Sequence, residues 1–215
     1  MSERTEQLID RLATELRPTP ARALERRMGQ ALAAGALLSL LLMAAGLGIR
    51  HDLLSALQGF AVWMKLSYAA ALALIAVPAS IALTRPDAPP PWRLRAVLLP
   101  LLALALLALG EWMRTPPEAL AALWLGKTWK ICPFLLFGLS VPILWLLLRA
   151  ARRLAPADAK AAGTACGLAA GAVATLIYCL HCPESTAAFV LVWYSAGIGL
   201  STLAGRLLGP RLLRW

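Results

Sequence analysis

The sequence predicts an all-α integral membrane bundle of six transmembrane helices, with both termini cytoplasmic and a short amphipathic helix ahead of the first span. Three observations predict it. The 215 residues are 60% hydrophobic and 15% charged, with a mean hydropathy of +0.70, too apolar for an ordinary soluble domain. The apolar residues fall in six blocks, about 28–49, 61–83, 94–113, 131–149, 161–180 and 184–208, each near the roughly 20 residues that cross a hydrocarbon core. The polar face that a soluble helical bundle repeats about every 3.6 residues is missing from these blocks.

Orientation follows from the basic residues. With the N-terminus inside, Arg4, Arg11, Arg17, Arg22, Arg26, Arg27, Arg85, Arg93, Arg95, Arg149, Arg152, Arg153, Lys160, Arg206, Arg211 and Arg214 face the cytoplasm. These are 16 of the 21 lysines and arginines, and every loop then obeys the positive-inside rule. The net charge of +10 expresses topology and attraction to an anionic lipid bilayer rather than direct contact with nucleic acid. Two segments result, a cytoplasmic N-terminal stretch over 1–27 and a six-helix transmembrane domain over 28–215. The polar stretch ahead of the first span, and the length of that span, argue against a cleaved signal peptide.

Within TEQLIDRLATELRP, residues 5–18, Leu8, Ile9, Leu12 and Leu16 form one stripe of a helix. Pro18 and Pro20 end it. Glu6, Asp10, Arg11, Glu15 and Arg17 occupy the other face. A helix this short needs a surface to lie on: the inner leaflet, the inner ends of the chain's own spans, or a separate protein. Mixed charge disfavours the leaflet, which attracts basic faces. Burying the four aliphatic side chains yields a gross ~6–12 kcal/mol, much of it offset by association and ordering. A partner therefore has to touch elsewhere as well, and on the residues alone the self-docked and partner-bound readings both stand.

The connector TRPDAPPPWRLR, residues 84–95, reads as a stiff basic cytoplasmic loop. EALAALWLG, inside the outer loop 114–130, is too short to span and suits the membrane interface. Trp63, Trp112, Trp124, Trp129 and Trp193 suit interfacial belts. Gly163, Gly167 and Gly171 lie four apart, a stripe on which another helix packs closely. Ionisable groups deep within spans, the mark of ion pathways, are missing; Lys65 and Glu111 sit near outer ends, where snorkelling accounts for them. No phosphate loop, hydrolase elbow, zinc-protease or cofactor motif occurs. A pump or transporter is not expected, and nothing in the sequence specifies an oligomeric state.

Two outer loops each carry a Cys-Pro pair, KICPF at 130–134 and LHCPE at 180–184. Proline is favoured at the first helical position, so Cys132 and Cys182 are expected to N-cap spans four and six, at one outer level. The positive ends of the helix dipoles then favour thiolate. Lys130 adds positive charge and Glu184 partly opposes it. Exposed, reactive sulfurs facing an oxidising compartment are the expectation, either as a disulfide pair or as reversible ligands of a soft metal, with a permanent structural staple as the competing reading. A closed zinc site of Cys132, Cys179, His181 and Cys182 requires the two loops to meet. Cys166, beside the glycine stripe, reads as a small packing residue. Cys179 forms a C-x-x-C with Cys182, which keeps a second pairing open.

LIDRLATELRP ahead of six spans, WKICP in the second outer loop and LHCPESTAAFVLVWYSAGI leading into the last span together resemble the NrsF family of bacterial membrane anti-sigma factors. The resemblance covers nearly the whole chain, and the last motif is its most specific part. It implies a regulator, not an enzyme, in the inner membrane. Its N-terminal segment, here Leu8, Ile9, Leu12, Leu16 and Pro18, would hold an extracytoplasmic-function sigma factor. Two outer cysteines, by motif Cys132 and Cys182, would receive a heavy-metal or oxidative signal and cause its release. Cys179, His181 and Glu184 are auxiliary candidates. The reading of a different class is a membrane thiol-disulfide oxidoreductase coupled to quinone, for which four scattered cysteines supply a second redox pair poorly.

Overall fold

The computed structural model of the protein describes Thr5, Gln7, residues 22–87 and residues 91–213, the side chains of Pro91 and Arg93 excepted. Among the described residues there is no strand, and six helices are long and apolar enough to cross a membrane. They are α1 (Ala23–Gly46), α2 (Phe60–Leu83), α3 (Leu98–Arg114, which with the turn before it runs from Leu94), α4 (Cys132–Arg152), α5 (Ala159–Tyr178) and α6 (Ala187–Leu212). A 3-10 turn over Pro91–Val97 leads into α3, and a short helix over Leu120–Leu125 lies in the connection to α4. Thr5 and Gln7 are helical and exposed. Leu8, Ile9, Leu12, Leu16 and Pro18 lie outside the described residues.

Helix α5 is the axis of the bundle. Its apolar window is 83% buried, against 11% for α3 at the periphery. Small side chains put it there. Gly163, Gly167 and Gly171 face α6, where a Cβ on any of them would press on Gly205, Gly209, Ser201 or Ile198. Ser201 also donates to the Gly167 carbonyl at 2.8 Å. Gly205 and Gly209 reciprocate from α6, so two small-residue stripes meet face to face and the backbones approach. Helix α1 packs on α4 in the same manner, through Gly35 against Ile143 and a 2.7 Å hydrogen bond from Ser39 to the Leu139 carbonyl.

The loops 47–59, 115–131 and 179–186 gather at one end of the bundle, tied by Arg50 N to Leu180 O (3.2 Å), His181 Nδ1 with Gly48 O (2.9 Å) and Thr186 Oγ1 to Leu123 O (2.9 Å). At the other end Arg85 pairs with Glu25 at 3.3 Å, and α4 closes on Arg149 and Arg152 in its last turn.

Two expectations are corrected here. Lys65 does not snorkel: it is fully buried and donates to the carbonyls of Cys182 at 3.0 Å and Glu184 at 2.6 Å. Glu111 does not snorkel either, because its Oε2 accepts from Ala187 N at 2.7 Å and Ala188 N at 3.3 Å, capping the first turn of α6. Both find backbone partners inside the protein, which offsets their desolvation more completely than the interface would.

A buried dithiol at the loop end

The chain does not start its last span at Cys182. The tail of α5 runs on through turns, with the amide of Cys182 bonded to the Tyr178 carbonyl at 3.0 Å. Helix α6 begins at Ala187, N-capped by Thr186, whose hydroxyl accepts from Phe189 N at 3.3 Å. Threonine is a far better cap than cysteine, and Thr186-x-x-Phe189 takes that role. Cys132 is the first helical residue of α4, after Ile131 as N-cap. The expectation that both cysteines cap helices is therefore corrected, and the dipole argument is lost for Cys182, which lies in the loop between α5 and α6.

The sulfurs nevertheless meet. Cys132 and Cys182 are close enough to act on each other's ionisation, and the Tyr178 hydroxyl stands beside both. Both thiols are free and buried, correcting the expectation of exposed sulfurs. The Cys132 thiol donates toward Cys182 and holds its ionisation below the ordinary thiol range, helped by the Tyr194 hydroxyl, the Glu184 amide and the Lys65 ammonium, against burial. Lys65, not Lys130, supplies the nearby cation; the Lys130 ammonium sits 5.4 Å from the centre of the Trp129 ring.

Cys179 is also buried, and burial pushes its thiol up to about 12. Cys179 and Cys182 act on each other through charge, while the Cys132 thiol is the largest influence on Cys182. Cys166 is wholly buried within α5. Among the described residues no three His, Cys, Asp or Glu side chains are grouped so that they could hold a metal ion. His181 turns to the Gly48 carbonyl instead.

Glu184 clamps the loops together. Its Oε1 accepts from Lys127 N at 2.8 Å, Thr128 N at 3.1 Å and Thr128 Oγ1 at 3.1 Å. The concave run of amides that receives it is opened by Gly126 at φ +53°, where a Cβ would strike the carboxylate. The predicted interfacial segment takes part too, since Leu123 is buried and Trp124 accepts at 2.8 Å from Trp193, which stacks 5.3 Å from Trp129. A π-turn over Val190–Tyr194 brings Tyr194 inward, its ring 5.7 Å from that of Tyr178. The buried Tyr194 hydroxyl, beside Cys179 and Cys182, has no well-formed hydrogen bond. A cavity of about 510 Å³, lined by Lys127, Lys130, Trp129, Tyr178 and His181 among others, opens at the same end of the bundle. Lys65, Tyr178 and Tyr194 were missed from the sequence. The signal for Lys65 was present, since a lysine inside an apolar span marks a site by default.

Fold and site define a class, a helical protein with six potential membrane spans that keeps two free thiols buried together under its loops at one end. The chain belongs to the NrsF family: the family's sequence model, described as negative regulator of sigma F, matches residues 12–215. A probable anti-sigma-F factor NrsF of Azospira oryzae is 40% identical over 212 residues, covering 99% of this chain and 100% of the relative. The anti-sigma-F factor NrsF of Caulobacter vibrioides is 36% identical over 217 residues, covering 99% of this chain and 100% of the relative. No solved structure matches.

Proposed function

We propose that this protein is an anti-sigma factor of the bacterial inner membrane, with both termini cytoplasmic, that sequesters an extracytoplasmic-function sigma factor through residues 1–27. The partner is released when Cys132 and Cys182 react at the outer face. Family membership supports the class of function, and the sensing role is supported by two free thiols buried beneath the same loops, each acting on the other's ionisation.

Oxidation joins the sulfurs and releases two protons, with two electrons passing to an external oxidant. A soft metal cation arriving through the loop-end cavity instead bridges two thiolates and displaces the same protons. Either event draws the first residue of α4 toward the loop that precedes α6. Helix α4 extends 21 residues, about 30 Å at 1.5 Å per residue, so a shift at its start reaches the other end. A bridge typically changes stability by about 2–4 kcal/mol, enough to supply the 1–3 kcal/mol by which allosteric sites usually couple.

The test is co-purification of the sigma factor from membranes. Full-length protein retains it, and protein lacking residues 1–27 or carrying Leu12→Asp does not. A thiol oxidant or cadmium elutes it from wild type but not from Cys132→Ala or Cys182→Ala. Elution that persists in both cysteine variants removes the sensing role, and retention without residues 1–27 removes the binding role.

A further inference from the structure

Four arginines crowd the end of the bundle opposite the thiols. Arg27 from the first turns of α1, with Arg149, Arg152 and Arg153 from the end of α4, lines a cavity of about 550 Å³. Among the described residues the ion pairs are Arg50–Asp52 and Arg85–Glu25, so none of the four meets a carboxylate there. Nearby acids are engaged elsewhere: Glu25 by Arg85, and Asp158 by the amides of Lys160 and Ala161. Guanidinium groups gathered around one space repel one another, and an anion with several oxygens relieves that repulsion, because planar forks match phosphate geometry.

A second cleft shows which anion. Arg149 and Arg152 also line a space of about 290 Å³ with Trp145, Leu148 and Leu212. This cleft continues from the charged cavity down α4, and its indole is 51% exposed on the flank of an apolar span. Charge above and apolar surface with an indole below is the layered chemistry of a lipid, headgroup then acyl chain. An acidic protein segment would satisfy the guanidinium groups but not the cleft beneath them.

We propose that Arg27, Arg149, Arg152 and Arg153 bind the phosphate headgroup of an anionic phospholipid, with an acyl chain lying along Trp145, Leu148 and Leu212. The lipid bridges α1 and α4 at the end where the chain emerges from the N-terminal segment. It thereby fixes the end of the bundle at which α1 begins.

The test places purified full-length protein in nanodiscs of phosphatidylcholine doped with brominated-chain phosphatidylglycerol or, in parallel, the same fraction of brominated-chain phosphatidylcholine. Brominated phosphatidylglycerol is expected to quench tryptophan emission more strongly, and the excess is lost in Trp145→Phe. The preference falls roughly fivefold for each of Arg149→Gln and Arg152→Gln, while Arg211→Gln, at the same end but outside the cavity, keeps it. Thermal unfolding alongside wild type shows that the variants are folded. Equal quenching by the two lipids overturns the proposal, as does equal loss in Arg211→Gln, which would signify surface potential alone. Displacement by inorganic phosphate assigns the cavity to the free ion and overturns the lipid. A preference present only after removal of residues 1–21 assigns the cavity to the chain's own tail and overturns it equally.

Discussion

Replacing Glu184 by alanine cuts the clamp that holds the two cysteine loops together. Three donors converge on one carboxylate oxygen, Lys127 N, Thr128 N and Thr128 Oγ1, at 2.8, 3.1 and 3.1 Å. The site is only half-buried, so water replaces part of what is lost, and about 1 kcal/mol per bond, some 3 kcal/mol in all, is a fair figure. At 1.4 kcal/mol per factor of ten, the effective concentration of one thiol at the other falls roughly 100-fold. Glu184→Gln keeps an acceptor without the charge and is expected to lose roughly a factor of ten. The assay equilibrates purified protein with glutathione buffers of graded poise and measures the fraction of Cys132–Cys182 disulfide by thiol labelling and mass spectrometry. Thermal unfolding confirms that the variants are folded. An equilibrium constant in Glu184→Ala within threefold of wild type refutes the reasoning, because the loops would then be held by something other than this clamp.

Two further outcomes follow from the geometry. Cys182 titrates below the ordinary thiol range, so its thiolate persists as pH falls and is lost only below the usual value. Its alkylation rate should therefore stay high to lower pH than that of a free thiol, and Cys132→Ala, which removes the donor, should move the profile upward; an unmoved profile would falsify the thiol–thiol contact. At the α5–α6 seam, Gly205→Ala sets a Cβ against the Gly163 carbonyl and 2.9 Å from Gly167 Cα, and overpacking of about 1–3 kcal/mol outweighs the ~1 kcal/mol gain in helix preference. Gly29→Ala, with open space around it, should be neutral or stabilising in the same detergent unfolding assay.

Much of the site was readable because its chemistry is local in sequence. Each Cys-Pro pair sits between two apolar blocks, which puts Cys132 and Cys182 where consecutive long helices are joined, Cys132 at the first residue of α4 and Cys182 in the loop before α6. What failed was the inference from proline to helix start. It neglected Thr186, whose hydroxyl caps α6 and leaves Cys182 in the preceding turn. The dipole argument failed with it, and the groups that act on Cys182 in its place are Cys132, Tyr194 and Lys65, distant in the chain. Lys65 and Glu111 were misread for the same reason. Their partners are backbone groups of residues 182–188, invisible to any scan of neighbours along the sequence.

By itself the sequence determined six helices long and apolar enough to cross a membrane and their glycine stripe, since hydropathy and small-residue spacing are properties of contiguous residues. Only the tertiary structure decided that α5 lies at the centre, that Gly205 and Gly209 answer Gly163 and Gly167, and that Cys132 comes to act on Cys182. The physical reason is that each of these depends on which helices share a face. That choice is made by close packing among side chains far apart in the chain, and hydrophobicity alone does not encode it.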